Sequence, residues 1–473
     1  MASAEFEILV SASRVAYTWQ PVGETLPVED DDKLELDELT LQTVQVMARW
    51  LNFWQRIVKP DIRHGRLLFG ADTFQVVGRH LWNLILRNKV GDALVRHLDE
   101  PSSEPLRLVL TFTDNARDSL KGLPWEFLHH PEHGFLAAQT NLLLTRFVQL
   151  ETTARRPAVT PVQSDQVRAL FIGALPQEDD TSPDAKHGHL RAQLQRLAEN
   201  LKDIPRLDVL EPIYAWDREV VREHLSNPAK PCHIVHVIGI CRGTPPEPPR
   251  ILLGSQGDFE DPQELVDVLT SGPTKPKLVI LHLGDYVDGD ASESFEALAP
   301  ALIRKDVPAV LALQYAGRAD DVGVGKAFYE SLVAGTQVGQ AVQDSRMHLA
   351  ETLDRRFATP VLYLGNDGSL WKDPTAVPTS GNVVESRTRA ADPGVSAMAV
   401  KRALIQVVDE DLGLGTTHKA TAIGWISQLA LGAEPVPEAR RELMLALRQA
   451  PDDVTMDLYG RMLRRLLRLE TSR

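Results

Sequence analysis

The sequence predicts an α/β protein with a mostly parallel sheet, helices on both faces of that sheet, and a small C-terminal all-α bundle. Four short apolar runs suggest the sheet: VRALFIG (167–173), HIVHVIG (233–239), KLVILHL (277–283) and VPAVLAL (307–313). Segments with helical spacing separate them, at 189–202, 261–270 and 293–304. Strands that are apolar at nearly every position and joined by helices are typical of a parallel sheet covered on both faces. The central region is therefore predicted to be an open α/β sandwich.

The residues before this region follow other patterns. Apolar side chains alternate along residues 5–19, which predicts a hairpin with one buried face. Helical spacing follows in residues 39–58, which end before Pro60, and again in residues 73–98. The run LRLVLTF (106–112) predicts a further strand. The N-terminal part is thus also expected to mix strands and helices.

The C-terminal part begins with a change in composition. Residues 372–395 are rich in Pro, Ser, Thr and Gly without periodicity, which indicates a linker. Helical stretches follow at 396–410, 416–431, 436–450 and 454–470, together about the size of a small bundle. The predicted domains are an N-terminal α/β part (1–105), a core (106–372), a linker (373–395) and a helical bundle (396–473). We interpret the bundle as an adaptor or effector-associated domain.

Composition and charge exclude several classes of function. The chain has 473 residues, a net charge of -14 and two cysteines, Cys232 and Cys241. Contact with nucleic acid requires clustered Lys and Arg, which this acidic balance argues against. No apolar run approaches the ~18 residues of a membrane span, and the N-terminus lacks the pattern of a secretory signal. We therefore expect a cytoplasmic protein that binds neither nucleic acid nor membrane and has no disulfide framework.

Several motifs in a fixed order suggest a family. The motifs are LPWEFLHHPEHGFLA, HIVHVIG, LVILHLG, DVPAVLALQY, AFYESLVAGTQVGQAVQDSR and ATPVLYLGNDGSLW. Together they resemble the CHAT family, whose domain is a caspase-like cysteine peptidase common in bacterial conflict and signalling proteins. The resemblance covers residues 106–372 and implies a caspase-like fold, with the preceding residues forming the usual N-terminal part.

The catalytic motifs of that family are altered in this chain. The resemblance assigns the general-base histidine to the centre of a Gly-His-Gly motif, where this chain has Gly239, Ile240 and Cys241. It assigns the nucleophile to the end of an Asn-Ala-Cys motif, where this chain ends in Gly284. A cysteine nucleophile reacts as a thiolate whose pKa is lowered by an adjacent imidazole. Isoleucine carries no proton and glycine offers no nucleophile, so the sequence predicts a pseudopeptidase.

A relocated dyad is the alternative at this site. Cys241 follows the base position and His282 precedes the nucleophile position by two residues, so a swapped pair is conceivable if the loop bends. Strand alternation argues against it, because Cys241 has the opposite parity to Ile240. His236 is interpreted as a core histidine, and His233 as the start of its strand. The predicted remnant cleft comprises His236, Cys241, His282, Asp285 and Asp288, and its carboxylates would favour cationic partners.

Three other motifs do not match the sequence patterns of metal or nucleotide sites. The stretch HHPEH (129–133) has imidazoles but no standard zinc spacing, and we interpret it as a loop. The acidic stretch GDYVDGDASE (284–293) lacks the closing glutamate of an EF-hand. In GVGKAF (323–328), Asp320 and Ala327 occupy positions where a phosphate-binding loop needs Gly and Ser or Thr. No metal or cofactor is predicted.

The final helix suggests a partner surface. Its basic side is formed by Arg461, Arg464, Arg465 and Arg468, opposite a leucine-rich side. Packing of the leucines inside the bundle is preferred over membrane binding, and the arginines are then candidates for binding an acidic protein partner. The alternatives for the whole chain are an active peptidase that uses Cys241 and a peptide or ligand sensor that uses the former cleft.

These features together favour a non-catalytic scaffold or regulator. Its partners would be an effector or sensor of the same bacterial conflict, antiviral defence or signalling system. The defence context is implied by the resemblance alone. The oligomeric state is left open.

Overall fold

A large mixed sheet runs through the part of the chain that the structure, a computed structural model, describes. The described residues are 4–21, 28–34, 36, 41, 44, 71–99, 105–113, 115–148, 161, 167–174, 188–242, 250–253, 259–284, 291–314, 324–351, 355–365, 368 and 370. Apart from 71–76, they belong to one compact unit made of Met1–Ile57 and Val77–Gly381. The predicted linker (373–395) and helical bundle (396–473) lie outside the described residues, as does most of the helix predicted over 39–58.

The N-terminal half supplies seven strands and three helices among the described residues. In chain order they are β1 (Glu5–Val10), β2 (Arg14–Gln20), β3 (Val28–Lys33), α1 (Ala71–Ile85), α2 (Lys89–Asp99), β4 (Leu106–Phe112), α3 (Asp118–Lys121), β5 (His129–His130), β6 (Gly134–Phe135) and β7 (Leu142–Val148). Short 3-10 helices cover Trp125–Phe127 and Leu136–Ala138. Strands β1 and β2 form the predicted antiparallel hairpin.

The C-terminal half of the described chain alternates strands and helices. The elements are β8 (Val167–Ala174), α4 (Gly188–Leu201), β9 (Leu207–Val209), α5 (Arg218–Ser226), β10 (Ile234–Arg242), β11 (Arg250–Leu252), β12 (Phe259–Glu260), α6 (Pro262–Leu269), β13 (Leu278–Gly284), α7 (Ala291–Arg304), β14 (Ala309–Leu313), α8 (Lys326–Val333), α9 (Val338–Glu351) and β15 (Pro360–Leu364). A 3-10 helix covers Arg355–Ala358. All four predicted apolar runs are strands.

The main sheet has the order β12-β11-β10-β13-β14-β15-β7-β4-β1-β2-β3, and β8 pairs with both β10 and β9. Strands β8, β10, β13 and β14 run parallel to one another. The sheet becomes mixed because β15 runs antiparallel to β14, and because β2 and β3 are antiparallel to their neighbours. The predicted class, a mostly parallel sheet between helices, is confirmed.

Helices cover both faces of the parallel region. The side chains of Phe171, Ile238 and Ile280 lie on one face, here called the α4 face, in one apolar cluster with residues of α4, α8 and α9. The opposite face, here called the α7 face, joins Val237 and Leu281 to residues of α5, α6 and α7. Alternate residues of a strand point to opposite faces, which is why each strand supplies apolar residues to both clusters.

One predicted helix is wrong in its extent. Residues 73–98 were expected to form a single helix, but the structure has two, α1 and α2. Asn88 causes the break, because its side-chain oxygen accepts hydrogen bonds from the backbone N–H groups of Val90 and Gly91 at 3.0 and 3.3 Å. This is the geometry of a helix N-cap, which starts a new helix. None of the helices in the described ranges has the length and apolarity required to cross a membrane.

Candidate functional site

The two positions that the resemblance assigns to catalysis lie side by side. Strands β10 and β13 are parallel neighbours, and their register pairs Ile240 with Gly284. Neighbouring strands lie about 4.8 Å apart, so residues at paired positions are in reach of each other. Both positions are at the carboxyl ends of their strands, where ligands of open α/β sheets commonly bind.

Ile240 is part of the hydrophobic core. Its relative exposure is 4%. It belongs to the apolar cluster of the α4 face, together with Phe171, Leu313 and Val324. The position assigned to a general base therefore holds a buried aliphatic group that packs and has no proton to transfer.

A polar cluster lies within the core, two to four residues deeper along the same two strands. His236 and His282 have ring centroids 6.3 Å apart and are almost fully buried. Nδ1 of His236 lies 2.9 Å from the hydroxyl oxygen of Tyr329. Nε2 of His236 has no hydrogen-bond partner among the described residues. The register pairs His282 with Ile238, so the alternation of β10 and β13 assigns His236 and His282 to the same face.

His236 and Tyr329 are uncharged at neutral pH. Burial, and to a smaller extent the neighbouring His282, hold the pKa of His236 well below its usual value. Burial also raises the pKa of Tyr329 well above its usual value. A neutral imidazole next to a neutral phenol suits a hydrogen bond inside a core.

Of the other residues of the predicted remnant cleft, the structure describes only the backbone of Cys241. Cys241 continues β10 beyond Ile240, and its backbone pairs with Ile251 of β11. In the register of β10 and β13, position 241 comes one residue after the position paired with Gly284. Asp285 and Asp288 lie outside the described residues, as do Arg461, Arg464, Arg465 and Arg468.

The second cysteine is structural. Cys232 is buried, and its thiol donates a hydrogen bond to the carbonyl oxygen of Ile234 at 3.1 Å. Burial raises the pKa of this thiol to about 12. Since the thiolate is the reactive form, Cys232 is unreactive in the folded protein.

The stretch HHPEH forms a small hairpin instead of the predicted loop. Strands β5 and β6 pair here, and Gly134 turns the chain with a φ of 72°. His130 and His133 have ring centroids 5.0 Å apart, and Nε2 of His133 lies 3.2 Å from Oδ1 of Asp99. Within the described residues, no group of three or more His, Cys, Asp or Glu is arranged to hold a metal ion.

A buried ion pair beside the parallel strands was not predicted from the sequence. The Arg146 guanidinium donates to both carboxylate oxygens of Glu126, at 3.1 and 2.7 Å. It also donates to the Tyr363 hydroxyl at 3.2 Å, which ties β7 to β15. The signal was present, because Glu126 and Arg146 are charged residues inside the apolar stretches LPWEFL and LLLTRFV.

A large, mostly parallel sheet between helices is the architecture of the caspase-like, peptidase-related α/β sandwiches. A family model for the CHAT domain matches residues 75–419, so the chain belongs to the CHAT domain family. The match starts within α1 and continues through the predicted linker into the predicted helical tail. A search of curated proteins found no match.

Proposed function

We propose that this CHAT protein is catalytically inactive and acts as a scaffold or regulator that binds protein partners. One observation carries the proposal: the position of the family base holds Ile240, buried in the core and paired with Gly284. A peptidase of this type needs a thiolate and an imidazole that meet at these positions. This chain has neither group there.

The thiols of the chain support the same proposal. Cys232 is buried with a pKa of about 12, so it is not a nucleophile. Cys241 comes one residue after the position paired with Gly284, and this odd spacing from the position paired with His282 argues against a Cys241/His282 dyad. A relocated Cys241/His282 dyad would require β10 to change its alternation near its end.

The proposed partners are proteins. A caspase-like domain without catalytic activity still has a large surface that can bind another protein. Because the chain is acidic, it favours basic surfaces or segments on that partner. The predicted helical tail adds the arginines 461, 464, 465 and 468, which favour an acidic partner. The proposal places the protein in the cytoplasm of a bacterium, within a defence or signalling system, and this context rests on the family resemblance.

The test is an affinity purification from the native cytosol, read by mass spectrometry for partners and for their cleavage. The full chain is compared with a variant in which Arg461, Arg464, Arg465 and Arg468 are changed to Gln, and with Cys241→Ala. We expect intact partners with the full chain and with Cys241→Ala. Partners that arrive cleaved only when Cys241 is present would overturn the proposal.

A thiol-labelling experiment tests the site without knowledge of the partner. Iodoacetamide at neutral pH is followed by mass spectrometry, so that both cysteines are compared in one chain. We expect Cys232 to be protected and Cys241 to react no faster than the same thiol in the unfolded chain. A Cys241 that reacts about tenfold faster in the folded protein would indicate an activated thiolate and an active peptidase.

A further inference from the structure

Strand β3 ends the sheet within the described part of the chain. It pairs with β2 on one side, and no described strand pairs with its other side. The outer edge of such a strand presents N–H and C=O groups to which another strand can add. How these outer groups are satisfied therefore decides whether the edge is open.

The direction of each amide in β3 follows from one hydrogen bond. The N–H of Leu34 donates to the carbonyl oxygen of Ser13 at 2.9 Å, so it points towards the β2 side. Amides alternate along a strand, which directs the N–H groups of Glu29, Asp31 and Lys33 to the outer edge. These are the donors that an added strand would use.

Two of these three outward donors are already occupied by side chains of the same strand. The N–H of Asp31 donates to Oδ1 of Asp30, and the N–H of Lys33 donates to Oδ1 of Asp32, each at 2.8 Å. Each carboxylate thus caps the amide of the following residue. A hydrogen bond to a charged acceptor is stronger than one between neutral groups.

Asp31 and Asp32 also contact neighbouring elements. Oδ2 of Asp32 lies 3.5 Å from the backbone N of Lys89 at the start of α2. Asp31, between the two capping residues, forms an ion pair with Arg14 of β2. The strand VEDDDK carries four carboxylates and one lysine, so a second copy of the same strand would also be repelled.

We propose that Asp30 and Asp32 close the β3 edge and thereby prevent β3 from pairing with β3 of a second copy of this chain. A second copy is the natural competitor, because two identical edges can pair antiparallel about a two-fold axis. An incoming strand would have to break both capping bonds and bring like charges together. The inference is independent of the proposed function, because it concerns a different edge of the sheet.

The test is sedimentation velocity over a range of protein concentrations. Compared with the wild type, Asp30→Ala/Asp32→Ala is expected to tighten self-association at least about tenfold. Asp30→Asn/Asp32→Asn keeps an acceptor oxygen without the charge, and should associate less than the alanine variant. The matched control compares Glu29→Ala with the single variant Asp30→Ala. Each change removes one negative charge from β3, but only Asp30→Ala removes a side chain that accepts an outward N–H.

A proline variant locates the interface. Asp31→Pro, added to the alanine double variant, deletes an outward N–H and should reverse the association while leaving the β2 ladder intact. The proposal is overturned if the alanine variant associates no more than the wild type, if Glu29→Ala matches Asp30→Ala, or if the proline has no effect. If the alanine variant does not fold, hydrogen exchange of the wild-type protein tests whether the two capping bonds exist. The amides of Asp31 and Lys33 should then exchange more slowly than their intrinsic rates, and exchange at the intrinsic rates would overturn the proposal.

Discussion

Single buried polar residues in this protein serve packing and connection. Arg146 donates to Glu126, to Tyr363 and to the carbonyl oxygens of Lys121 and Leu123. A second buried arginine in α9, at position 346, donates to two backbone carbonyl oxygens at 2.8 and 2.6 Å. Burial lowers the pKa of this arginine to about 10, so it remains charged at neutral pH. Glu126 therefore acts as a counter-ion for two buried cations, Arg146 and Arg346.

Glu126→Ala is predicted to be strongly destabilising. The pair it breaks is 1–2% exposed, and removal leaves Arg146 as an uncompensated buried charge. We expect the free energy of unfolding to fall by about 3–5 kcal/mol in urea titrations. Glu330→Ala is the control, because its half-exposed pair with Lys326, at 3.9 Å, should contribute less than about 1 kcal/mol. Equal effects of the two changes would contradict this assignment.

A buried histidine at the start of β10 predicts a loss of stability in acid. Nδ1 of His233 accepts the backbone N–H of Arg168 at 3.0 Å. Burial first, and then the charges of Arg168 and Lys277, lower the pKa of this imidazole to about 4. The unfolded chain thus binds a proton at a higher pH than the folded protein does. The contribution of neutral His233 to the free energy of unfolding is therefore complete above the usual pKa of 6.5. It is lost as the pH falls from 6.5 towards 4.

His233→Asn is expected to reduce this pH dependence, because asparagine keeps an acceptor without titrating. The measurement is the free energy of unfolding in urea at several pH values between 7 and 4. Val235→Ala is the control, since an apolar change should lower the free energy equally at every pH. An unchanged pH slope in His233→Asn would show that other groups account for the acid sensitivity.

At the scale of elements, β10 is the strand that organises the site. It pairs with β8 and β13, and its final residues pair with β11. Close packing explains the glycine of its VIGIC motif. A Cβ added at Gly239 would lie 2.8 Å from the Cβ of Ala174 and 3.3 Å from Cδ2 of Leu283. The glycine is thus required by the neighbouring strands, whether or not a catalytic group follows it.

Gly239→Ala is accordingly predicted to destabilise the protein by about 1–3 kcal/mol, the usual range for overpacking. Gly339→Ala in α9 is the matched control, because a Cβ there meets nothing within 4 Å. Alanine has a higher helix propensity than glycine, so Gly339→Ala should be neutral or stabilise the protein by up to about 1 kcal/mol. Thermal unfolding followed by circular dichroism compares the two. A Gly239→Ala protein as stable as Gly339→Ala would refute the packing argument.

Elements differ in how well their sequence predicts them. The four apolar runs of the parallel region were predictable, because full burial on both faces makes nearly every residue apolar. The break at Asn88 and the hairpin at HHPEH were not, since a single cap or a two-residue pairing barely changes the periodicity. The altered catalytic positions were found through family motifs. Their pairing in register, and the burial of Ile240, depend on how two strands align whose paired positions are 44 residues apart, which only the structure gives.

The ion pair of Glu126 and Arg146 was missed for a related reason. The two residues are 20 positions apart, and their further partners are distant in the sequence: Gln314 directly follows β14, and Tyr363 lies in β15. A charged residue in an apolar run indicates a buried partner, but the sequence does not identify which residue supplies the opposite charge.

At the scale of the whole molecule, the central strands of the sheet are deeply buried, whereas β3 at its N-terminal end is largely exposed. Helices cover β8, β10, β13 and β14 on both faces, and almost all of their described side chains are buried. In β3 no residue is buried, and four of its six residues are exposed. Local opening requires less free energy where fewer apolar contacts are lost. The centre should therefore open only on global unfolding, and the β3 end by local fluctuation.

Hydrogen exchange followed by mass spectrometry tests this distribution in the wild-type protein. Peptides from β10 and β13 are expected to exchange slowest, and peptides from β3 at least about a hundredfold faster, which is about 2.7 kcal/mol of opening free energy. In the Gly239→Ala variant, protection should fall in β10 and β13 together, because both share the overpacked contact. Protection of β3 should remain as in the wild type, since β3 already opens without global unfolding. If β3 were protected as strongly as β13, the sheet would unfold as one unit and a partner or second copy covering its edge would have to be sought.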